Sequence, residues 1–238
     1  LVEGVRLEAL AVEMCDRHTG IGADGLMVYA RTEAGASIDL LNSDGSPSEV
    51  SGNGVRGLAA LLVRDVVDDR VDLTIDTRGG AKRLTRLSRA GSRQVFRAAM
   101  GLPSNIRQVT LDAAGETLTG VVLNIGNPQA IFLGPLPDDE RFHRLGAALE
   151  HHQYFPEGSN IEFVHVEDPA RLRIRIWERG CGPTLSSGTG SCASLIGAAA
   201  FGGASRTADV VAPGGTQRVE WAEDSVYLTG WAEVLCEG

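Results

Sequence analysis

The chain has 238 residues, of which 43% are hydrophobic, 22% charged and 5% aromatic, and its net charge is −9. That length supports one domain or two small ones with a real core, and the apolar content excludes a disordered or collagen-like chain. The acidic balance excludes a general nucleic-acid binder, and no apolar run reaches the 18 residues that a membrane-spanning helix needs.

Leu1 to Leu10 carries scattered charges and no secretory signal pattern. Leu26-Met27-Val28-Tyr29 and Ser37-Ile38-Asp39-Leu40-Leu41 read as strands. A loop rich in Gly, Ser, Pro and Asp follows. The apolar run 55–63 then reads as a buried helix opening at Ser51-Gly52-Asn53-Gly54. Strands are expected over 71–75, 94–99, 121–125 and 130–133, with turns at Gly79-Gly80 and 113–115. A short surface helix is expected over 141–151, then strands over 161–166 and 172–177. A second buried helix, 191–201, opens at Ser187-Gly188-Thr189-Gly190, and a last strand covers 225–228. Cys15, Cys181, Cys192 and Cys236 form no Cys-x-x-Cys pair, so no metal site is expected. Such sparse cysteines suit a reducing cytoplasm. Cys192 reads as a small core residue, Cys15 and Cys236 as structural, and Cys181 as a loop residue without a chemical role.

The two Ser-Gly-x-Gly turns lie 136 residues apart (187 minus 51). The same offset carries Pro47 onto Pro183 and Gly22-Ala23-Asp24 onto Gly158-Ser159-Asn160. Two blocks in one register indicate a duplicated half. The expected architecture is α+β: two pseudosymmetric lobes, each a curved, mostly antiparallel sheet around a central helix, meeting face to face. The N-terminal lobe spans 1–95 and the C-terminal lobe 96–228, with 229–238 returning to the first. The repeat pairs Asn127 with position −9 (127 minus 136), so the first lobe is expected to lack its first strand. A helix N-terminus offers unpaired N–H groups and partial positive charge, and glycine lets a ligand approach them. Two such starts converging on one cleft would hold a small carboxylate.

Several blocks resemble the diaminopimelate epimerases, a family within the amino-acid racemases that work without pyridoxal phosphate. Cys15-Asp16-Arg17-His18-Thr19-Gly20-Ile21-Gly22-Ala23-Asp24-Gly25 is similar to one family block, and Asn42-Ser43-Asp44-Gly45-Ser46 with Gly52-Asn53-Gly54-Val55-Arg56 to another. Gly126-Asn127-Pro128, Gly158-Ser159-Asn160-Ile161-Glu162-Phe163, Trp177-Glu178-Arg179-Gly180 and Gly188-Thr189-Gly190 follow in the family order. The resemblance implies an isomerase of the lysine-biosynthesis type that acts at the α-carbon of an amino acid, with no cofactor and no metal. In the family two cysteines, at the positions of Ser51 and Ser187, move the α-proton. The resemblance makes those two positions and Glu178 the catalytic candidates. It makes Asn42, Gly52, Asn53, Asn127, Asn160, Glu178, Arg179, Gly188 and Thr189 the substrate-binding set. The expected partner is a small-molecule amino acid, with no nucleic acid and no membrane, a homodimer as an option, and a cytoplasmic location.

The departures fall on the chemistry. A free thiol titrates near 8.5, and an aliphatic hydroxyl is a far weaker acid. A helix start contributes roughly 0.3–1 kcal/mol against about 1.4 kcal/mol per pKa unit, so it cannot make either serine a useful alkoxide. Gln129 stands where the family usually has His, Pro183 where it has Glu, and Gly57 where it has a further Cys. Arg56 reads as solvating a helix face, and Asp24 as a turn residue. The standard two-thiol route is closed. The readings left are an isomerase using Glu178, a one-base isomerase or dehydratase, or an amino-acid-binding homologue. Serines introduced to trap substrate are a further option, which Gln129 and Pro183 weigh against.

Overall fold

The computed structural model describes residues 6–48 and 51–235. Cys236 and the last two residues of the expected C-terminal return lie outside them. The first half runs α1 (Leu7–Cys15), β1 (Gly25–Thr32), β2 (Gly35–Asn42), β3 (Pro47–Ser48), α2 (Gly52–Leu62), β4 (Val71–Thr77), β5 (Gly80–Ala90) and β6 (Arg93–Ala99). Three strands follow: β7 (Ser104–Ala113), β8 (Glu116–Asn124) and β9 (Pro128–Leu133). The second half then repeats the order of the first with α3 (Asp139–Glu150), β10 (Asn160–Asp168), β11 (Arg171–Glu178), β12 (Gly182–Thr184), α4 (Gly188–Phe201), β13 (Thr207–Ala212), β14 (Gly215–Trp221) and β15 (Val226–Glu233).

The α+β class and the two repeated halves are as expected, but the halves do not carry separate sheets. All the strands belong to one sheet, ordered β1-β2-β4-β5-β6-β15-β14-β13-β11-β10-β9-β8-β7, with β3 on β2 and β12 on β11. The halves join edge to edge where β6 and β15 pair antiparallel, Phe96 opposite Gly230. Each strand thereby satisfies backbone groups that would otherwise be left bare. The boundaries drawn at 95/96 and 228/229 fall inside these two strands. The sheet curls around α2 and α4, which pack inside it.

Pairing registers refine the repeat. Leu26 faces Leu41 and Ile161 faces Trp177. The offset is therefore 136 for β2 and β11 (177 minus 41) but 135 for β1 and β10 (161 minus 26). Met27, not Leu26, corresponds to Glu162.

Helix α4 is buried from Gly188 to Ala198, and its small residues let the sheet come close; a Cβ on Gly197 would stand 3.2 Å from Ile131. A second core between α3 and the outer sheet face contains Phe132, Phe142, Leu145, Leu149, Ile161 and Phe163. Strand β10 is thus buried on both faces from Asn160 to Val164, a stretch that includes the carboxyl of Glu162 among apolar neighbours. Strand β5 was not expected, because Lys82 and Arg86 point inward and break its apolar alternation. Fully buried Arg86 donates to the carbonyls of Val63 (2.9 Å), Val66 (2.8 Å), Asp68 and Asp69 (3.2 Å) and to Gln94 Oε1 (2.9 Å). It satisfies the connection leaving α2, whose carbonyls have no helical partner. Among the described residues no helix is long and apolar enough to cross a membrane.

Candidate active site

Ser51 caps α2 with φ −129° and ψ 118°, and its Oγ accepts from Gly54 N at 3.0 Å. Ser187 caps α4 with φ −131° and ψ 130°, and its Oγ accepts from Gly190 N at 3.2 Å. The two turns have nearly the same backbone, as the repeat requires. They also touch. A Cβ on Gly52 would lie 2.6 Å from Gly188 Cα, and one on Gly188 would lie 2.5 Å from Gly52 Cα. Only two glycines permit that approach.

Beside this contact opens a cavity of about 450 Å³. Ser51, Ser187, Asn42, Asn53, Asn127, Asn160, Glu178, Arg179 and Thr189 all line it. Of the sequence-expected set, Gly52 and Gly188 are not on its wall; their place is the contact between the halves. Asn53 is largely engaged in that contact as well. Its Nδ2 donates to Ser186 O at 2.8 Å, and its Oδ1 accepts from Arg56 at 2.6 Å and from Gln217 at 3.0 Å. Arg56 does not solvate a helix face. It is 3% exposed, and burial pulls its guanidinium down to about 10.

The rest of the polar wall is held from behind. Asn160 donates to Pro128 O and accepts from Arg179 N, both at 3.0 Å. Buried Glu150 accepts from Trp177 Nε1 at 2.6 Å and from Gly180 N at 2.8 Å, which fixes the turn carrying Glu178 and Arg179. Glu178 is half-buried and accepts from Thr184 Oγ1 at 2.6 Å. Burial pushes its carboxyl up to about 6; hydrogen bonds from Thr184 and Ser187 oppose the rise, and Asp24 adds to it. Glu178 therefore changes charge close to neutral pH, where neither serine can.

Sequence reading missed several wall residues. Met27, Tyr29, Leu40, Leu41, Leu58 and Leu61 make one side apolar. Asp24 lines the cavity and pairs with Arg17. Cys181 lines it too, its Sγ 3.8 Å from Ser43 Oγ and 3.5 Å from Asp24 O. Burial raises that thiol above its ordinary range, with Glu178 and Asp24 adding to the rise and hydrogen bonds from Ser43 opposing it. It is a poor replacement for the missing thiolates. The available signal was position: Asp24 precedes β1 and Cys181 follows β11, at equivalent ends of the two repeated hairpins.

The family model for diaminopimelate epimerase matches residues 2–104 and 121–235. A diaminopimelate epimerase from Desulfitobacterium hafniense is 36% identical over 245 residues, covering 96% of this chain and 86% of the relative. Another from Nostoc punctiforme is 36% identical over 249 residues, covering 96% and 88%. Among solved structures, a hydroxyproline epimerase from Agrobacterium vitis shares the fold at a TM-score of 0.72 and 15% identity, covering 98% of this chain and 86% of that one. A probable proline racemase from Agrobacterium radiobacter shares it at 0.71 and 18%, covering 97% and 81%. With matches across nearly its whole length, and with paired helix starts closing on one cavity, this chain belongs to the diaminopimelate epimerase family.

Proposed function

We propose that the cavity binds an amino acid of the diaminopimelate type, and that the chain acts on its α-carbon as a one-base catalyst, with Glu178 as the titrating group. The observation that carries this reading is the contact of the two helix starts beside one polar-walled cavity. Their N–H groups hold the α-carboxylate and stabilise the negative charge that develops when the α-proton leaves. Glu178 carboxylate takes that proton, exchanges it with solvent and returns it to the same face. The substrate is labelled and keeps its configuration. A cytoplasmic, lysine-biosynthesis setting belongs to this proposal; Cys15, Cys181 and Cys192 are free thiols.

Incubation with meso-diaminopimelate in deuterium oxide, followed by mass spectrometry, tests it. Deuterium uptake is expected at the α-carbon, rising with pH through a midpoint of about 6. Glu178→Gln should abolish that rise and lower the rate about 10²–10⁴-fold. Binding without exchange would instead identify an amino-acid-binding protein, the reading that hydroxyls at both thiol positions favour. Stability has the opposite pH dependence. A carboxyl raised from its ordinary 4.5 to about 6 contributes stability that is fully present below 4.5 and is lost as pH rises through 6. The loss is at most about 2 kcal/mol. Glu178→Gln should flatten the fall in melting temperature between pH 4.5 and pH 7.

A further inference from the structure

Behind the second helix start lies a buried run of polar groups that proton transfer at Glu178 does not use. Glu162 is completely buried within β10, between Ile161 and Phe163. Its counterpart in the first half is Met27. A Cβ on Gly54 would meet Met27 Cε at 2.6 Å, and one on Gly190 would meet Glu162 Oε1 at 2.7 Å. Each helix start therefore makes room for one side-chain tip, apolar in one half and a carboxyl in the other.

Glu162 Oε1 lies 2.8 Å from one end of the Gln129 amide, and the other end lies 2.6 Å from Asn127 Oδ1. Gln129 is 1% exposed and Asn127 6%, and Asn127 lines the cavity. The run can be wired in two directions. An ionised Glu162 accepts from the Gln129 amide nitrogen; the Gln129 oxygen then faces Asn127, which must turn its nitrogen inward and its oxygen to the cavity. A protonated Glu162 donates to the Gln129 oxygen, Gln129 Nε2 donates to Asn127 Oδ1, and Asn127 turns Nδ2 to the cavity. Glu162 has no ion-pair partner among the described residues. An unpaired carboxylate in such surroundings is strongly disfavoured. Burial, with the charge of Glu178 added, holds its proton on well above the ordinary carboxylate range.

We infer that Glu162 is a specificity-determining positioning residue whose proton fixes Asn127 as a hydrogen-bond donor, so that the cavity prefers a ligand carboxylate at that point over a ligand lacking one. The ligand part of this inference rests on the cavity reading proposed above; the wiring part does not. Infrared difference spectra between the ligand-free wild type and Glu162→Gln should show loss of a protonated carboxyl band. Loss of carboxylate bands instead would overturn the inference. The ratio of affinities for meso-diaminopimelate and L-lysine, which differ by one carboxylate, reads the selectivity. Glu162→Met, which copies the first half, should reduce that ratio at least about tenfold, as expected for loss of a hydrogen bond to a charged group. Glu162→Gln can still donate to Gln129 and should keep the ratio within about threefold. An unchanged ratio in Glu162→Met would overturn the inference. If neither amino acid binds the wild type, the cavity reading fails and the selectivity falls with it, while the infrared band still decides the wiring.

Discussion

Replacing Ser51 and Ser187 together by cysteine is expected to raise α-deuterium exchange about 10²–10⁴-fold and to add inversion of configuration, which the proposed one-base route does not give. The replacement is close to isosteric, and each new sulfur inherits a ready partner. Gly54 N and Gly190 N already donate to the present hydroxyls at 3.0 and 3.2 Å. Those N–H groups and the helix starts behind them favour a thiolate, as at other helix N-termini. The single variants separate the faces. Either one alone should increase exchange without restoring inversion at a comparable rate, because inversion needs an acid and a base on opposite sides of one carbon. Chiral chromatography of the product distinguishes these results. If the double variant exchanges no faster than the wild type, the serines are not what limits the chemistry, and a bound α-carbon does not lie between positions 51 and 187.

Gly52→Ala is expected to destabilise the fold severely, although it adds only a methyl group. Its Cβ would stand 2.6 Å from Gly188 Cα and 3.1 Å from Gly188 C. Both are backbone atoms, and no flexible side chain can yield. Overpacking of a well-filled core typically costs about 1–3 kcal/mol, and a backbone clash belongs at or above the top of that range. Domains of this kind have only about 5–15 kcal/mol in all. The variant should melt far below the wild type or fail to accumulate as folded protein. Gly57→Ala is the control: it lies in the same helix, and its Cβ meets nothing within 4 Å. A helical Gly→Ala change there should be neutral or stabilising by up to about 1 kcal/mol. Equal melting temperatures for Gly52→Ala and the wild type would show that the helix starts do not abut.

The duplication was legible because glycine, serine and proline recur at fixed places, where turn geometry leaves few alternatives. The helix starts at Ser51 and Ser187 were legible for the same reason. The joining of the halves was not, because β6 and β15 meet through backbone hydrogen bonds that no side-chain pattern announces. Lys82 and Arg86 hid β5, since an inward cation with its own acceptors looks in sequence like a solvent-facing one. Arg56 misled as well: it is buried with Asn53 Oδ1 accepting from its Nη2, while its Nε and Nη1 have no hydrogen-bond partner among the described residues. The equivalence of Met27 and Glu162 was masked by a one-residue change of offset, and the two side chains share a location without sharing chemistry. The apolar wall of Leu40, Leu58 and Leu61 could not be told from ordinary core by periodicity alone.

The contact between Gly52 and Gly188 also limits how the cavity can admit a ligand. Two backbones in van der Waals contact, beside a continuous β6–β15 ladder, leave no slack at the floor. Along the cavity wall Cys181 meets Asp24 and Ser43 across the two halves, through weak sulfur contacts of 3.5 and 3.8 Å. The glycine contact, by contrast, is backbone against backbone, so any movement of the one half against the other has to keep the two helix starts together.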